Sequence, residues 1–477
     1  MGNRAANGTR SSGHHHRVGA AWRVSLVNDI FRANLIDLPS RFAPKVSYAR
    51  FILVALIYTC PLILLVDGVI VYGVVAALAA VGVAVVAGSM RPGETQFLIS
   101  IIRFGATLAA VPALWIVIQI LPLRAIAHPI WASAEAAVGH SLAGSVSIDF
   151  GASVMALGQY LSAVAVALVA AAVAVDRQRA SWILFALMGA TALIALISLL
   201  HDLAGLTFLN GVGSHFGRAQ TIDCTAIGTI VAAAAAIRIL ERYENRRAEP
   251  KRSDTAVLWT FAACSAALVI CITSLAVTST GAAMIATGYG LGALMAVAVI
   301  RRLSFGPWGI AAFALPAIGL AVLMVASEPG LRTNGVVLAF AAPSSLALTS
   351  ASQRILDDTA WTGTGAGTFA AITPIYRNID DPETLIAPTT AAALSIELGQ
   401  PMFWLIVAAI VSAVAILLRA SLQRGRDSFY PAAGAGCLIA LLFLSFMNAG
   451  ILGTATAVSA AAMLGLALGQ SKSRTIQ

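Results

Sequence analysis

Charged residues are scarce in this sequence. Lys, Arg, Asp and Glu make up only 11% of the 477 residues, whereas hydrophobic residues make up 59% and the mean hydropathy is +0.87. A soluble domain carries about 25% charged residues, so the composition excludes water as the main solvent of this chain. The apolar runs are continuous rather than alternating, which favours membrane-spanning helices over barrel strands.

Paired metal ligands are also lacking. The five cysteines lie in or beside apolar segments, without the spacing of a zinc site or a disulfide framework, and we interpret them as small hydrophobic residues. They are Cys60, Cys224, Cys264, Cys271 and Cys437. The run His14 to His16 has no second cluster to complete a metal site. We therefore expect no metal and no other cofactor.

About twelve apolar segments are present, and a hydrocarbon core of ~30 Å needs ~20 residues per helix. They lie at residues 50–66, 69–88, 98–121, 153–175, 181–200, 223–240, 256–277, 282–300, 310–326, 402–418, 432–447 and 451–468. The basic residues gather in alternate breaks, so twelve spans place every cluster on one side. Because Lys and Arg are retained on the cytoplasmic side, both termini are predicted to be cytoplasmic. The net charge of +9 then reflects topology and not nucleic-acid binding.

The predicted fold class is therefore all-α, a polytopic membrane protein of about twelve transmembrane helices. Residues 1–47 are interpreted as a disordered, Arg-rich cytoplasmic tail and not as a cleaved signal peptide. Helices 1 to 9 occupy residues 48–326 and helices 10 to 12 occupy residues 401–470, followed by a cytoplasmic tail at 471–477. Between them, residues 327–400 are predicted to form a large, partly helical periplasmic loop, which includes an amphipathic helix at residues 389–398. Loops of this length are usually functional.

Several ionisable groups in or near this loop could carry chemistry. Arg354 could hold a phosphate in the bidentate manner of a guanidinium, or it could pair with Asp357 or Asp358 one turn away. Glu397, near the start of a span, could be a general base or a structural cap. Asp223 is placed at a helix N-terminus, where the helix dipole would favour a carboxylate without any function.

The long loop also carries a specific order of features. Arg354 is followed by a Gly-x-Gly-x-Gly-x-Phe turn at residues 363–369 and then by Tyr376. This order resembles the O-antigen ligase and polysaccharide polymerase superfamily. Further matches are residues 121–123, 127–131, 213–216 and Glu397-Leu398-Gly399, so that the resemblance extends over roughly residues 98 to 470.

The resemblance implies a metal-independent membrane glycosyltransferase at the periplasmic face of a bacterial inner membrane. Such an enzyme transfers a glycan from undecaprenyl diphosphate to an acceptor glycan or to lipid A core. Arg354 matches the arginine expected to bind the diphosphate, and Glu397 is the second catalytic candidate. The candidate substrate-binding residues are Arg218, Arg377, Asp357, Asp358 and Tyr376. The implied partners are the lipid-linked glycan, the acceptor and membrane lipid, and nucleic acid is not among them.

The chain departs from the family pattern at several positions. It reads Ser279-Thr280-Gly281 where the family carries Ser-Arg, and residues 387–390 lack the family's His-Asn pair. Leu444 and Asn448 stand where a His and an Asp are expected. Arg218 is hypothesised to replace the missing arginine. Two other functions stay open: a non-catalytic component of a polysaccharide assembly complex, and a transporter of a lipid-linked substrate, which scarce mid-membrane charge disfavours.

Overall fold

The computed structural model of the protein describes ten stretches of the chain. They are residues 43–65, 69–90, 92–205, 215–246, 255–279, 281–302, 336–341, 346–377, 386–424 and 427–472. The chain divides into two units, Met1–Lys45 and Val46–Gln477. The predicted tail at residues 1–47 lies mostly outside the described residues, as do residues 473–477 of the second tail.

Every regular element in the described stretches is a helix, which confirms the predicted all-α class for this part of the chain. The α-helices are α1 (Ala43–Leu65), α2 (Val69–Ser89), α3 (Pro92–Ile120), α4 (Ile130–Val138), α5 (Phe150–Ala174), α6 (Arg177–Ala204), α7 (His215–Arg246), α8 (Thr255–Thr278), α9 (Gly281–Arg302), α10 (Leu346–Asp358), α11 (Phe369–Tyr376), α12 (Thr390–Leu398), α13 (Gln400–Gln423), α14 (Phe429–Ser445) and α15 (Thr454–Gly469). Short 3-10 turns occupy Arg124–Ile126 and Gly450–Leu452.

Eight of the described helices are long and apolar enough to cross a membrane. The spans are Ile70–Ser89, Thr95–Ile120, Phe150–Ala174, Arg177–Ala204, Phe216–Glu241, Val257–Thr278, Gly281–Arg302 and Gln400–Gln423. Three shorter apolar helices, Tyr48–Leu64, Phe429–Ser445 and Thr454–Gly469, match the first and the last two predicted segments. The ninth predicted segment, residues 310–326, lies outside the described residues. The chain is thus a multi-pass membrane protein, and the total of twelve helices stays a prediction.

Contacts distinguish two ends of the helix bundle. At the first, here named the basic end, Arg177, Arg424 and Lys472 line one cavity although they lie at the ends of three different helices, α6, α13 and α15. At the second, the loop end, the amide of Gln119 at the end of α3 hydrogen-bonds to the backbone carbonyl of Glu397 in α12. Three of the basic clusters predicted to share one face of the membrane, those of Arg177, Arg424 and Lys472, therefore share one end of the bundle. Which side of the membrane each end faces stays a prediction.

Helix α7 is the centre of the bundle. Within its apolar window 83% of the residues are buried, compared with 11% in α13 and 17% in α2. The small side chains of Ala232–Ala236 allow neighbouring helices to approach closely, as small residues do in membrane bundles. The outer helices instead have exposed apolar side chains, which would contact lipid in a membrane. Ile70, for example, is 83% exposed.

The predicted loop at residues 327–400 is folded where the structure describes it. Helices α10, α11 and α12 pack around a small core of their own, formed by Ile355, Phe369, Ile372, Ala387, Ala393 and Ile396. Residues 327–335, 342–345 and 378–385 lie outside the described part. A helix predicted at residues 389–398 is present as α12, capped by the Thr389 hydroxyl, which accepts from the Ala392 N–H at 3.0 Å. It is not amphipathic as predicted, because every residue of α12 except Leu394 is buried.

Candidate functional site

The glycine-rich turn at residues 363–367 (the glycine turn) is held by backbone hydrogen bonds to two separate segments. The N–H of Ile148, just before α5, donates to the Thr364 carbonyl at 3.0 Å. The N–H groups of Thr364 and Gly365 donate to the carbonyls of Ile396 and Glu397, each at 3.0 Å. The glycine turn therefore joins the N-terminus of α5 to the C-terminus of α12.

The glycines of this turn are required by close packing. Gly363 and Gly365 have φ angles of +80° and +110°, which L side chains rarely adopt. A Cβ on Gly365 would lie 2.5 Å from the Ser147 hydroxyl, and one on Gly363 would overlap the Glu397 carbonyl. Protein atoms therefore fill the space beside the turn, and its glycines permit this close packing.

Gln119 fixes the end of α3 to the same assembly. Its side chain is fully buried, and its amide nitrogen donates to the carbonyls of Thr362 and Glu397, both at 2.9 Å. One turn earlier, the indole N–H of Trp115 donates to the Leu398 carbonyl at 2.9 Å. Gln119 was not among the residues predicted from the sequence, although a glutamine inside an apolar span is itself a signal of a specific buried contact.

Glu397 is held on the inner side of the glycine turn. The residue is 8% exposed. Its carboxylate accepts the N–H of Phe369, the first residue of α11, at 3.2 Å, together with the backbone N–H of Gly367. Burial raises the pKa of the Glu397 carboxyl to about 7, and these two hydrogen bonds oppose that rise. The carboxylate thus caps a helix N-terminus and positions the turn.

Arg354 lies on the exposed side of α10. The two carboxylates one turn away have other partners: the Gln353 amide donates to Asp357 at 2.9 Å, and Tyr376 hydrogen-bonds to Asp358. Within the described part of the chain, Arg354 forms no ion pair. The interpretation of Arg354 as one half of a surface ion pair on α10 is therefore not supported.

Five of the seven predicted site residues lie on α10 and at the end of α11. They are Arg354, Asp357, Asp358, Tyr376 and Arg377, and this set is named the α10 face. Burial and the neighbouring Asp358 carboxylate raise the pKa of the Tyr376 hydroxyl. Arg377 ends α11, where its N–H donates to the Thr373 carbonyl at 3.1 Å, and its side chain is half-buried. The other two predicted residues, Glu397 and Arg218, lie elsewhere at the loop end.

Arg218 lies in the first turn of α7 and is paired with a residue that the sequence analysis missed. Its guanidinium contacts the Asp202 carboxylate at 3.2 Å, and the same carboxylate is 3.0 Å from the His201 ring. The Arg218 side chain is 52% exposed. Asp202 therefore neutralises part of the positive charge of Arg218. Arg218 would need that charge to replace the missing arginine at a diphosphate.

A second buried link joins α7 to α12. Asp223 is fully buried and accepts a hydrogen bond from the Asn448 amide at 3.0 Å, while the Asn448 carbonyl accepts the N–H of Thr390 at 2.8 Å. Helix α7 begins at His215, so Asp223 lies two turns inside the helix and the prediction of a helix N-terminus there is wrong. Asn448 occupies a position where the sequence resemblance leads one to expect a carboxylate.

Comparison with known proteins adds no relative to this picture. No family model matches the chain, and no curated protein matches its sequence. Among the described residues, no three His, Cys, Asp or Glu side chains cluster as metal ligands. The proposed activity therefore depends on the residues of the loop end.

Proposed function

We propose that the protein transfers a glycan from undecaprenyl diphosphate to an acceptor sugar, which is an acceptor glycan or lipid A core, at the outer face of an inner membrane. The observation that supports this proposal best is the exposed Arg354 guanidinium, which has no ion-pair partner among the described residues. A guanidinium fork matches two phosphate oxygens at once, and such charge-assisted pairs are about twice as strong as neutral hydrogen bonds.

In this proposal, the reaction is catalysed by stabilising the negative charge that develops on the diphosphate. The bond between the sugar's anomeric carbon and the diphosphate oxygen breaks, and its electron pair stays on the diphosphate. The acceptor oxygen forms the new bond to that carbon, and its proton passes to a carboxylate. Arg354 and Arg377 would stabilise the negative charge on the departing diphosphate, while Asp357 and Asp358 would accept hydrogen bonds from the acceptor's hydroxyl groups.

Glu397 has a positioning role in this proposal. Its carboxylate is buried and accepts the N–H groups of Gly367 and Phe369, so an acceptor hydroxyl would have to displace protein contacts to reach it. It instead holds the glycine turn, and with it the start of α11, which carries Tyr376 and leads to Arg377.

The test is complementation of a strain that lacks the gene, with surface polysaccharide separated on a gel. We expect the deletion to remove high-molecular-weight bands if the enzyme is a polymerase, or all decoration of lipid A core if it is a ligase. Arg354→Gln should fail to restore them and should lower the transfer rate by at least ~100-fold, while Arg354→Lys restores part. Arg124→Gln, an exposed arginine at the same end that pairs with Glu135, is the matched control and should restore fully.

A second candidate function is a non-catalytic component of a polysaccharide assembly complex. The observation that favours it is the engagement of Glu397 by backbone groups, which leaves the acceptor without an obvious buried base. Full restoration by Arg354→Gln, at the same protein abundance as the wild type, would support this candidate and contradict the proposed enzyme.

A further inference from the structure

A cavity of about 540 Å³ lies at the basic end of the bundle, away from the α10 face. The ends of α2, α5, α13 and α15 and the starts of α3 and α6 surround it. None of the residues that line it belongs to the proposed glycan-transfer site, so its role is independent of that proposal.

The wall of the cavity is strongly cationic. Arg177, Arg179, Arg424 and Lys472 line it, against the single carboxylate of Asp176. Arg179 pairs with Asp176 at 3.4 Å. Arg177 pairs at 2.8 Å with Asp427, which is not one of the residues that line the cavity. The Lys472 ammonium donates to the Ser100 carbonyl at 2.8 Å. Positive charge remains in excess even after these pairs are counted.

Arg424 is the residue whose contacts are incomplete. It follows the last residue of α13, and one terminal nitrogen donates to the Gln470 side chain at 3.1 Å. Gln470 is itself fixed by a hydrogen bond to the Ala174 carbonyl. The Nε and the other terminal nitrogen of Arg424 are buried and have no hydrogen-bond partner among the described residues. Buried donors without acceptors are costly. The Asp427 carboxylate also acts on this guanidinium and is not one of the residues that line the cavity.

The rest of the wall is apolar. Val86, Met90, Phe97 and Val173 line it near the ends of the spans. A ligand that combines an anionic head with an apolar tail fits such a wall. Basic pockets between membrane helices are known as places where anionic lipid headgroups bind.

We infer that this cavity binds the phosphate group of an anionic ligand, with the guanidinium of Arg424, which lines the cavity, as the main contact and Arg177 and Arg179 at the rim. The phosphate could belong to an anionic phospholipid such as phosphatidylglycerol or to free inorganic phosphate, since both present the same oxygens. A guanidinium edge discriminates strongly for these oxygens over a zwitterionic headgroup whose own ammonium compensates the charge.

The experiment is native mass spectrometry of the full-length protein in detergent, with thermal unfolding as a second readout. Phosphatidylglycerol, phosphatidylcholine and inorganic phosphate are added separately to the wild type, to Arg424→Gln and to the control Arg419→Gln. Arg419 is an exposed arginine of the same helix and does not line the cavity. We expect retained phosphatidylglycerol on the wild type and on the control, and binding about 10 to 100-fold weaker in Arg424→Gln.

Each outcome decides the inference. An Arg424-dependent preference for phosphatidylglycerol over phosphatidylcholine supports a lipid headgroup. Arg424-dependent stabilisation by inorganic phosphate alone supports a free anion. If neither probe distinguishes Arg424→Gln from Arg419→Gln, the inference is wrong. Should Arg424→Gln not fold, Arg179→Gln at the half-buried rim residue replaces it, and unchanged binding of both probes there overturns the inference.

Discussion

The glycine turn and the α10 face belong to the same loop, yet they use their polar groups in opposite ways. At the turn, the carboxylate of Glu397 accepts a hydrogen bond from the backbone N–H of Phe369. The amide nitrogen of Gln119, at the end of α3, donates to two backbone carbonyls. On the α10 face, Arg354 is exposed and has no ion pair among the described residues. Within this loop, Glu397 therefore stabilises the fold, whereas the guanidinium of Arg354 stays exposed.

The largest effect should come from breaking the packed part. In Gly399→Ala, a Cβ would overlap the Trp361 carbonyl at a φ of +85°. Strain at such a φ costs about 1–3 kcal/mol, and overpacking adds about 1–3 kcal/mol. We expect a lower thermal midpoint and loss of folded protein in size-exclusion chromatography.

A matched control for this change is Gly158→Ala in α5. No atom lies within 4 Å of a Cβ at that position, and alanine favours a helix over glycine by about 1 kcal/mol. Its thermal midpoint should be unchanged or higher. Equal destabilisation by the two variants would contradict the account of the glycine turn.

The next effect concerns the pH dependence of stability. The folded-state pKa of Glu397 is raised from 4.5 to about 7, so the folded protein binds this proton more tightly than the unfolded chain does. Stability from this group is then full below pH ~4.5 and is lost as the pH rises to ~7, by about 3 kcal/mol at most. In Glu397→Gln, which keeps one acceptor oxygen, the thermal midpoint should change less with pH across this range than it does in the wild type.

The same variant tests the division of roles. Because Glu397 positions the turn, a folded Glu397→Gln should retain most of the transfer activity. If the variant folds as well as the wild type but loses activity by a factor of ~100 or more, as expected on removal of a general base, Glu397 belongs with the reacting groups.

A smaller effect is expected at Arg218. Its charge is shared with Asp202 at 3.2 Å, so Arg218→Gln should lower transfer about tenfold or less, compared with ~100-fold for Arg354→Gln. Asp202→Asn releases the guanidinium and should tighten donor binding if Arg218 replaces the missing arginine. No change in either variant would end the replacement hypothesis.

The smallest effect is expected where two site residues support each other. Asp358→Asn removes the charge that helps to raise the Tyr376 pKa, so the tyrosine should ionise at a lower pH in a difference titration. Because this part of the loop is exposed or half-buried, the loss of stability should stay below about 1 kcal/mol. An unchanged titration would show that the hydrogen bond is not formed in solution.

The spans could be predicted from the sequence because each depends on one continuous apolar run. The arrangement of the loop could not, because its contacts are long-range: Gln119 and Glu397 are 278 positions apart. Helix α7 begins at His215, eight residues before the predicted span, since hydropathy marks where lipid contact begins and not where hydrogen bonding begins. Burial of α12 also escaped prediction, because some of the groups that contact it, such as Gln119 and Asn448, are remote from it in sequence.

One labelling experiment tests the central claim, that the loop end faces away from the cytoplasm. The five native cysteines are buried, so an added cysteine stands out against a low background. Ala370→Cys places a thiol on the exposed side of α11, and Gln423→Cys places one on the exposed basic end of α13. A membrane-impermeant maleimide added to spheroplasts should modify the first and spare the second. Modification of Gln423→Cys alone would reverse the topology and remove the basis for glycan transfer at the outer face.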